Sequence, residues 1–116
     1  MTIQRFETGP RMSQAVIHGN TVYLAGQVAQ KAAGKSVTDQ TRDILETIDK
    51  LLADAGSDKS KLLSAQIFLT DIATFNEMNK VWEGWVSPGN TPARATVEAK
   101  LAAPQYTIEI MVIAAR

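Results

Sequence analysis

Arg94 and Glu109 are the two charged residues whose types and surroundings most suggest chemistry. Arg94 opens an extended segment after a Thr-Pro-Ala sequence, and its planar guanidinium can hold a carboxylate through two parallel hydrogen bonds. Glu109 interrupts the apolar run from Tyr106 to Ala115. A carboxylate there must be paired, hydrogen-bonded or unusually ready to keep a proton, as general acids and bases are. From the residues alone, a surface ion network that also includes Glu98 and Lys100 is an equally good interpretation.

Three other polar or aromatic positions carry weaker signals. Asn79 shares an apolar helical stripe with Phe75 and Trp82, so its amide needs a polar partner, either a loop or a ligand. His18 comes at a predicted turn, where a histidine is more often solvated than part of a catalytic triad. Trp82 and Trp85 are expected in the core, although one of them could line a pocket.

The composition argues against several classes of site. Among 116 residues there is no Cys and a single His, so disulfides, zinc fingers, iron–sulfur clusters and multi-His metal sites are not expected. Neither GxGxxG nor a P-loop sequence occurs. Basic and acidic residues balance at 12 each, which argues against a nucleic-acid partner. The sequence therefore predicts a site that uses no metal and no cofactor.

The length and the N-terminal sequence indicate the setting of the chain. The length fits one domain over residues 1–116. The N-terminal residues lack a basic start followed by an apolar run, and no segment approaches the ~18 apolar residues of a membrane span. We therefore expect a soluble cytoplasmic protein with no membrane partner.

Hydrophobic periodicity predicts the element order β-β-α-β-α-β-β, an α+β fold with a mixed sheet and both helices on one face. The predicted strands are 13–18, 21–26, 62–70, 94–101 and 106–115, and the predicted helices are 38–55 and 75–86. Gly19-Asn20 predicts a tight turn between the first two strands. Residues 27–37 are predicted as a loop, and residues 102–105 as a hairpin turn between the last two strands.

This second hairpin has a consequence for the candidate site. If Leu101 pairs with Tyr106, Glu109 lies opposite Glu98, about 13 Å along the strand from Arg94. Two adjacent carboxylates would favour a proton on one of them. A direct salt bridge between Arg94 and Glu109 of one chain is then not expected. A bulge, a ligand, a water or a neighbouring chain would have to join them.

The last predicted strand is apolar on both of its faces. Ile108, Ile110 and Val112 lie on one side, and Met111 and Ile113 lie on the other. Strands that are buried on both faces have this composition. Because two helices cover only one face of the sheet, we infer that self-association covers the other.

The segment Thr91-Pro92-Ala93-Arg94-Ala95-Thr96-Val97, followed by Tyr106-Thr107-Ile108-Glu109-Ile110, resembles the C-terminal signature of the Rid family (YjgF/YER057c/UK114). Further landmarks of that family fall along nearly the whole chain: Gly19-Asn20, Ala25-Gly26-Gln27, Asp39-Gln40-Thr41, Ala55-Gly56, Phe68-Leu69-Thr70-Asp71, Phe75 and Asn79. The resemblance implies a chorismate-mutase-like fold. It also implies a homotrimer with a barrel-like core and clefts between the subunits.

The same resemblance implies an activity. Active family members are deaminases that hydrolyse reactive enamines or imines, such as 2-aminoacrylate and 2-iminopropanoate, to a 2-oxo acid and ammonia. Arg94 matches the family arginine that holds the substrate carboxylate, and Glu109 matches the glutamate that positions or activates water. Asn79 and the Gly26 backbone match positions that line the substrate pocket.

Three pocket positions depart from the family archetype. Met12 stands where the archetype has a tyrosine, Ala25 where it has a serine, and Thr96 where it has a cysteine. Since the arginine is kept, the resemblance implies a hydrolase of the deaminase type in a diverged subgroup. A non-catalytic sensor that binds small 2-oxo carboxylates through Arg94 is the alternative. Ribonuclease activity or translation inhibition, also attached to relatives, is less expected because the charges balance.

Overall fold

The structure is a computed structural model that describes residues 1–116, and it confirms an α+β fold with a mixed sheet. Its seven strands are β1 Ile3–Phe6, β2 Ala15–His18, β3 Thr21–Leu24, β4 Gln27–Val28, β5 Leu62–Leu69, β6 Ala93–Glu98 and β7 Ile108–Ala115. Its helices are α1 Val37–Asp54 and α2 Phe75–Trp85, and short 3-10 turns cover Lys59–Lys61 and Ile72–Thr74. None of these helices combines the length and the apolar character needed to span a bilayer.

The first helix follows directly from its sequence. Ser36 caps α1 with a side-chain oxygen that accepts a hydrogen bond from the Asp39 N–H at 3.1 Å. Ile44 and Ile48 are completely buried on one face of the helix. The helix ends before Gly56, whose φ of 79° is a backbone conformation that favours glycine. The predicted helix 38–55 is therefore confirmed to within one residue at each end.

The strands form one sheet in the order β1-β2-β3-β7-β5-β6, and β4 pairs with β7 on the same side as β3. The hairpin of β2 and β3 is confirmed, since His18 pairs with Thr21 across the Gly19-Asn20 turn. Two short strands were not predicted. They are β1, which extends the sheet beyond β2, and β4, which lies inside the predicted loop 27–37.

The predicted hairpin across residues 102–105 is wrong. β6 and β7 do not pair with each other, because β5 lies between them, parallel to β6 and antiparallel to β7. Glu98 consequently lies beside Leu69, and Glu109 lies beside Phe68. The expected pairing of Glu98 with Glu109 does not occur. Alternating apolar residues indicate that a segment is extended, but they do not identify the strand with which it pairs.

The helices cover one face of the sheet and leave the other uncovered within the chain. In β7, buried residues alternate with half-buried ones, and Ile110 and Val112 face the helices. We call the opposite side the open face. It is formed by Val16, His18, Tyr23, Gln66, Phe68, Val97, Glu109, Met111 and Ile113. Tyr23 and Val97 are 43% and 48% exposed, so apolar side chains on this face are open to solvent in a single chain.

Candidate functional site

Arg94 lies on the helix-covered side of the edge strand β6, where its register partner is the buried Ala65. Its Nη1 donates a hydrogen bond of 2.8 Å to Oδ1 of Asn79. Its guanidinium carbon lies 5.8 Å from the centre of the Phe75 ring and 5.5 Å from the centre of the Trp82 ring. Aromatic rings at these distances attract a cation through their negative faces.

The three residues that hold the guanidinium all come from α2. Phe75, Asn79 and Trp82 are spaced four and then three residues apart, so the helix presents them on one side. The predicted stripe is therefore correct, and its polar member has a partner within the chain. Trp82 belongs to the core, at 5% exposure, while its ring also contacts the guanidinium. Trp85 instead donates its indole N–H to Asp49 at 3.0 Å.

We call the set of Arg94, Asn79, Phe75 and Trp82 the arginine cluster. A guanidinium has five N–H groups, and Asn79 takes one of those of Arg94. Arg94 is exposed, and the salt bridges of the chain are Arg42–Asp39 and Lys50–Asp54. The remaining N–H groups of Arg94 are therefore available to a carboxylate from outside the chain.

Glu109 lies on the open face, in the middle of the sheet. Its backbone is flanked by Phe68 of β5 and Val28 of β4. Gly26, which precedes β4, lies against the Glu109 side chain. A methyl group on Gly26 would lie 2.9 Å from the Glu109 carboxyl carbon, too close for van der Waals contact. Glycine is therefore required at position 26 for this approach. We call Glu109 and Gly26 the glutamate cluster.

The structure does not bring Arg94 and Glu109 together within one chain. Arg94 is in register with Ala65 and Glu109 with Phe68, so the two are about 10 Å apart along the strands and about 10 Å across them. Their side chains also point to opposite faces of the sheet. The ion network considered for the two residues is absent, and Glu98 instead accepts a hydrogen bond from the Ile72 N–H at 3.0 Å.

Of the other expected site residues, Thr96 is on the same strand as Arg94 and Ala25 is next to Gly26. Met12 and His18 belong to neither cluster. Thr96 follows Arg94 by two residues on the same side of β6, and its hydroxyl is buried without a hydrogen-bond partner. Ala25 precedes Gly26, and its N–H donates to Gln14 O at 2.9 Å. Met12 is exposed in the loop between β1 and β2 and makes no hydrogen bond with either cluster. His18 is exposed at the end of β2.

The three main cavities of the single chain do not include Arg94 or Glu109. Their volumes are about 450, 360 and 360 Å³. The chain also holds no group of three or more His, Cys, Asp or Glu side chains that could bind a metal ion. The single chain presents Arg94, fixed by contacts from α2, on one side of the sheet. It presents the Glu109 carboxylate, which lies against Gly26, on the other side.

The family profile described as Endoribonuclease L-PSP matches residues 2–116. The chain belongs to this family, which is also called the YjgF or Rid family. A RutC family protein of Haemophilus influenzae is 47% identical over 114 residues, covering 98% of each chain. The solved structure of a YjgF family member from Neisseria meningitidis is 44% identical and superposes with a TM-score of 0.96, covering 100% of this chain and 96% of the other.

A more distantly related protein has a name that states an activity. The chloroplastic Reactive Intermediate Deaminase A of Arabidopsis thaliana is 32% identical over 107 residues, covering 88% of this chain and 57% of the relative. Membership of the Rid family confirms the resemblance inferred from the segments around Arg94 and Glu109. The sequence left open that Trp82 or Trp85 lines a pocket and identified Phe75 only as a family landmark, but it did not predict that the Phe75 and Trp82 rings contact the Arg94 guanidinium. Their spacing around Asn79 was the available signal.

Proposed function

We propose that this Rid family chain is a cytoplasmic hydrolase that deaminates reactive enamines and imines of the 2-aminoacrylate and 2-iminopropanoate type. The products are a 2-oxo acid and ammonia, and no cofactor takes part. The observation that carries the proposal is the arginine cluster, in which a guanidinium is held in place with N–H groups left for a carboxylate. The relative named Reactive Intermediate Deaminase A supports the reaction class.

In this proposal Arg94 binds the substrate carboxylate through two parallel hydrogen bonds. Asn79 and the two rings limit the rotation of the guanidinium before the substrate arrives, so less conformational entropy is lost on binding. Clamping the carboxylate fixes the direction of the adjacent C=N carbon, and this orientation lowers the barrier to attack. Thr96, Met12 and Ala25 would line the pocket around the rest of the substrate.

Glu109 acts on water in the proposed mechanism. The enamine first tautomerises to the imine, which reacts in its N-protonated form. Glu109 accepts a proton from water as the water oxygen bonds to the C=N carbon and the π electrons move to nitrogen, which gives a neutral carbinolamine. Glu109 then returns this proton to the amino nitrogen, the C–N bond breaks to release ammonia, and the hydroxyl proton passes to solvent as the C=O bond of the 2-oxo acid forms. The reaction consumes one water and needs no oxidant or reductant. The glycine at position 26 leaves the space that the carboxylate occupies.

The opposite orientation of the two clusters favours a site that is shared between chains. We propose a homotrimer in which Arg94 of one subunit and Glu109 of its neighbour face the same cleft. The open face supports this, because its exposed apolar residues include Tyr23 and Val97, and self-association would bury them. The three main cavities of one chain are lined by neither Arg94 nor Glu109, which also supports it.

The test is the release of ammonia and 2-oxo acid from iminopropanoate that a dehydratase generates in the assay. Arg94→Ala should lower the rate by about 100-fold or more, because the carboxylate loses a charged double hydrogen bond. Arg42→Ala removes another exposed arginine, one paired with Asp39, and should leave the rate unchanged. Size-exclusion chromatography checks that both variants keep the same assembly. Equal rates for Arg94→Ala and the unchanged protein would contradict the proposal.

Binding without turnover is the second candidate function. One observation favours it: the arginine cluster is complete in a single chain, while Glu109 lies on the other side of the sheet. A sensor of small 2-oxo carboxylates would need the arginine cluster alone. Calorimetric titration with 2-oxobutanoate beside the deaminase assay separates the two functions. Binding that is lost in Arg94→Ala, together with no turnover by the unchanged protein, would establish the sensor.

A further inference from the structure

Gln40 is a fully buried amide of α1 that joins two other segments of the chain, one at Lys35 and one at Gln105–Thr107. Its side-chain nitrogen donates to the carbonyl oxygens of Lys35 at 2.9 Å and of Gln105 at 3.0 Å. Its side-chain oxygen accepts from the Thr107 N–H at 2.9 Å. Both amide hydrogens are therefore used, and the residue is 0% exposed.

These contacts lie immediately before the first residue of β7. β7 begins at Ile108, so the Thr107 N–H lies just before the strand, and a helix side chain satisfies it. Gln105 O also accepts a hydrogen bond of 2.9 Å from the Gly34 N–H. Gln40 thus connects the loop that follows β4 to the segment that enters β7. If Gln40 were apolar, the Lys35 carbonyl and the Thr107 N–H would lose these partners, and the Gln105 carbonyl would keep only its bond from Gly34.

The two connected segments are those that flank the glutamate cluster. Glu109 comes two residues after Thr107, and Val28, its neighbour in β4, leads into the loop that contains Lys35 and precedes α1. The Glu109 carboxylate already approaches Gly26 so closely that no methyl group fits between them. A shift of β7 against β4 would move the carboxylate relative to Gly26, and small misplacements of a catalytic group are costly.

We propose that Gln40 is a positioning residue for Glu109. It sets the entry of β7 relative to β4, and through this the place of the carboxylate on the open face. This inference rests on the proposed role of Glu109 in the deaminase reaction. Gln40 itself touches no substrate, since it is buried on the helix-covered side.

The next residue of the chain provides a matched control. Thr41 is also 0% exposed, and its hydroxyl donates to the Val37 carbonyl at 2.6 Å. That bond lies within α1 and has no connection to β7. Thr41→Val therefore removes a buried hydrogen bond from the same helix turn without changing the contacts of Gln105 or Thr107.

The experiment compares Gln40→Met, Gln40→Glu and Thr41→Val in the deaminase assay. Gln40→Met should lower kcat about 10- to 100-fold and leave KM within about twofold, because the arginine cluster is untouched. Gln40→Glu, which this buried position favours in its protonated form, keeps the oxygen that accepts from Thr107 and one donor for a carbonyl, and should recover part of kcat. Thr41→Val should leave both constants unchanged. A Gln40→Met enzyme with normal kcat, or one that loses no more kcat than Thr41→Val, overturns the inference.

A second measurement separates this inference from the proposed function. In NMR spectra, the side-chain carboxyl carbon of Glu109 should shift in Gln40→Glu and Gln40→Met but stay in place in Thr41→Val. If the unchanged protein shows no deaminase activity, the proposed function fails, and the Glu109 signal still decides the positioning role. If the Glu109 carboxyl-carbon signal is unshifted in folded Gln40→Glu, the positioning role is overturned. This test does not depend on whether Gln40→Met folds.

Discussion

The arginine cluster and the glutamate cluster are built in different ways. In the first, one helix presents two rings and an amide to a guanidinium on the neighbouring strand, so every contact is between side chains of one chain. In the second, Glu109 lies against the backbone of Gly26 on a face that the chain leaves uncovered. In the proposed mechanism, carboxylate binding is therefore organised within each chain, while turnover depends on assembly.

The largest effect is expected from separating the two clusters. Met111→Asp places a charge on the open face beside Ile113, where assembly would have to bury it without a partner. We expect the assembly to dissociate and turnover to fall by about 100-fold or more, because the two clusters then no longer share a cleft. Analytical ultracentrifugation and the deaminase assay measure the two effects. A monomeric variant with full activity would show that one chain contains the complete site.

The second prediction concerns the glutamate cluster alone. Gly26→Ala should push the Glu109 carboxyl group away and lower kcat about 10- to 100-fold with little change in KM. The matched control is Gly84→Ala on α2, where an added methyl group meets no atom within 4 Å. Alanine at that helical position should stabilise the fold by up to about 1 kcal/mol and leave kcat unchanged. A normal kcat for Gly26→Ala would show that the close approach is unimportant.

The third prediction concerns the arginine cluster alone. Asn79→Leu removes the acceptor of the 2.8 Å hydrogen bond from Arg94 and keeps a helix-forming side chain of similar size. The loss of one hydrogen bond to a charged group, about 1.5–3 kcal/mol, should raise KM or the Kd for 2-oxobutanoate by about 10- to 100-fold. Because Glu109 is unaffected, kcat should change far less. If kcat falls and KM does not, Asn79 acts on the chemical step instead.

The smallest effect is expected far from both clusters. Ser60 donates from its hydroxyl and its N–H to Asp58, and these bonds lower the pKa of that carboxyl below its usual value. A lowered pKa in the folded state stabilises the fold above the pKa of the unfolded chain, and this contribution is lost as the pH falls through the folded pKa. Asp58→Asn should therefore reduce Tm slightly above about pH 4, with the difference shrinking at lower pH. Deaminase activity should not change.

Much of the architecture could be predicted from local patterns. Helix α1 follows from its Ser36 cap, its apolar spacing and Gly56, and the first hairpin follows from Gly19-Asn20. The strands that pair with β6 and β7 could not be predicted. The alternation of apolar and polar residues in each segment is equally compatible with pairing between β6 and β7 and with pairing of each to β5. β4 was missed because a strand of two residues, Gln27–Val28, has no periodicity of its own and exists only through its contact with β7.

The candidate site shows the same division. The polar residue in the stripe of Phe75, Asn79 and Trp82 was visible in the sequence, but its partner, Arg94, was not. The contact exists because α2 packs beside β6, which is a consequence of the crossover from β5. Gln40 likewise reads as an ordinary helix residue, and only the fold brings Gln105 and Thr107 to it.

The sequence by itself determined both helices, five of the seven strands and the family to which the chain belongs, and it indicated the residues for which we propose chemistry. These properties depend on local spacing and on residue types. Only the tertiary structure decided that Arg94 and Glu109 lie on opposite sides of the sheet, with β5 between their strands. The physical reason is that strand order and register depend on contacts between residues distant in sequence, and a change of partner or register changes which side chains meet.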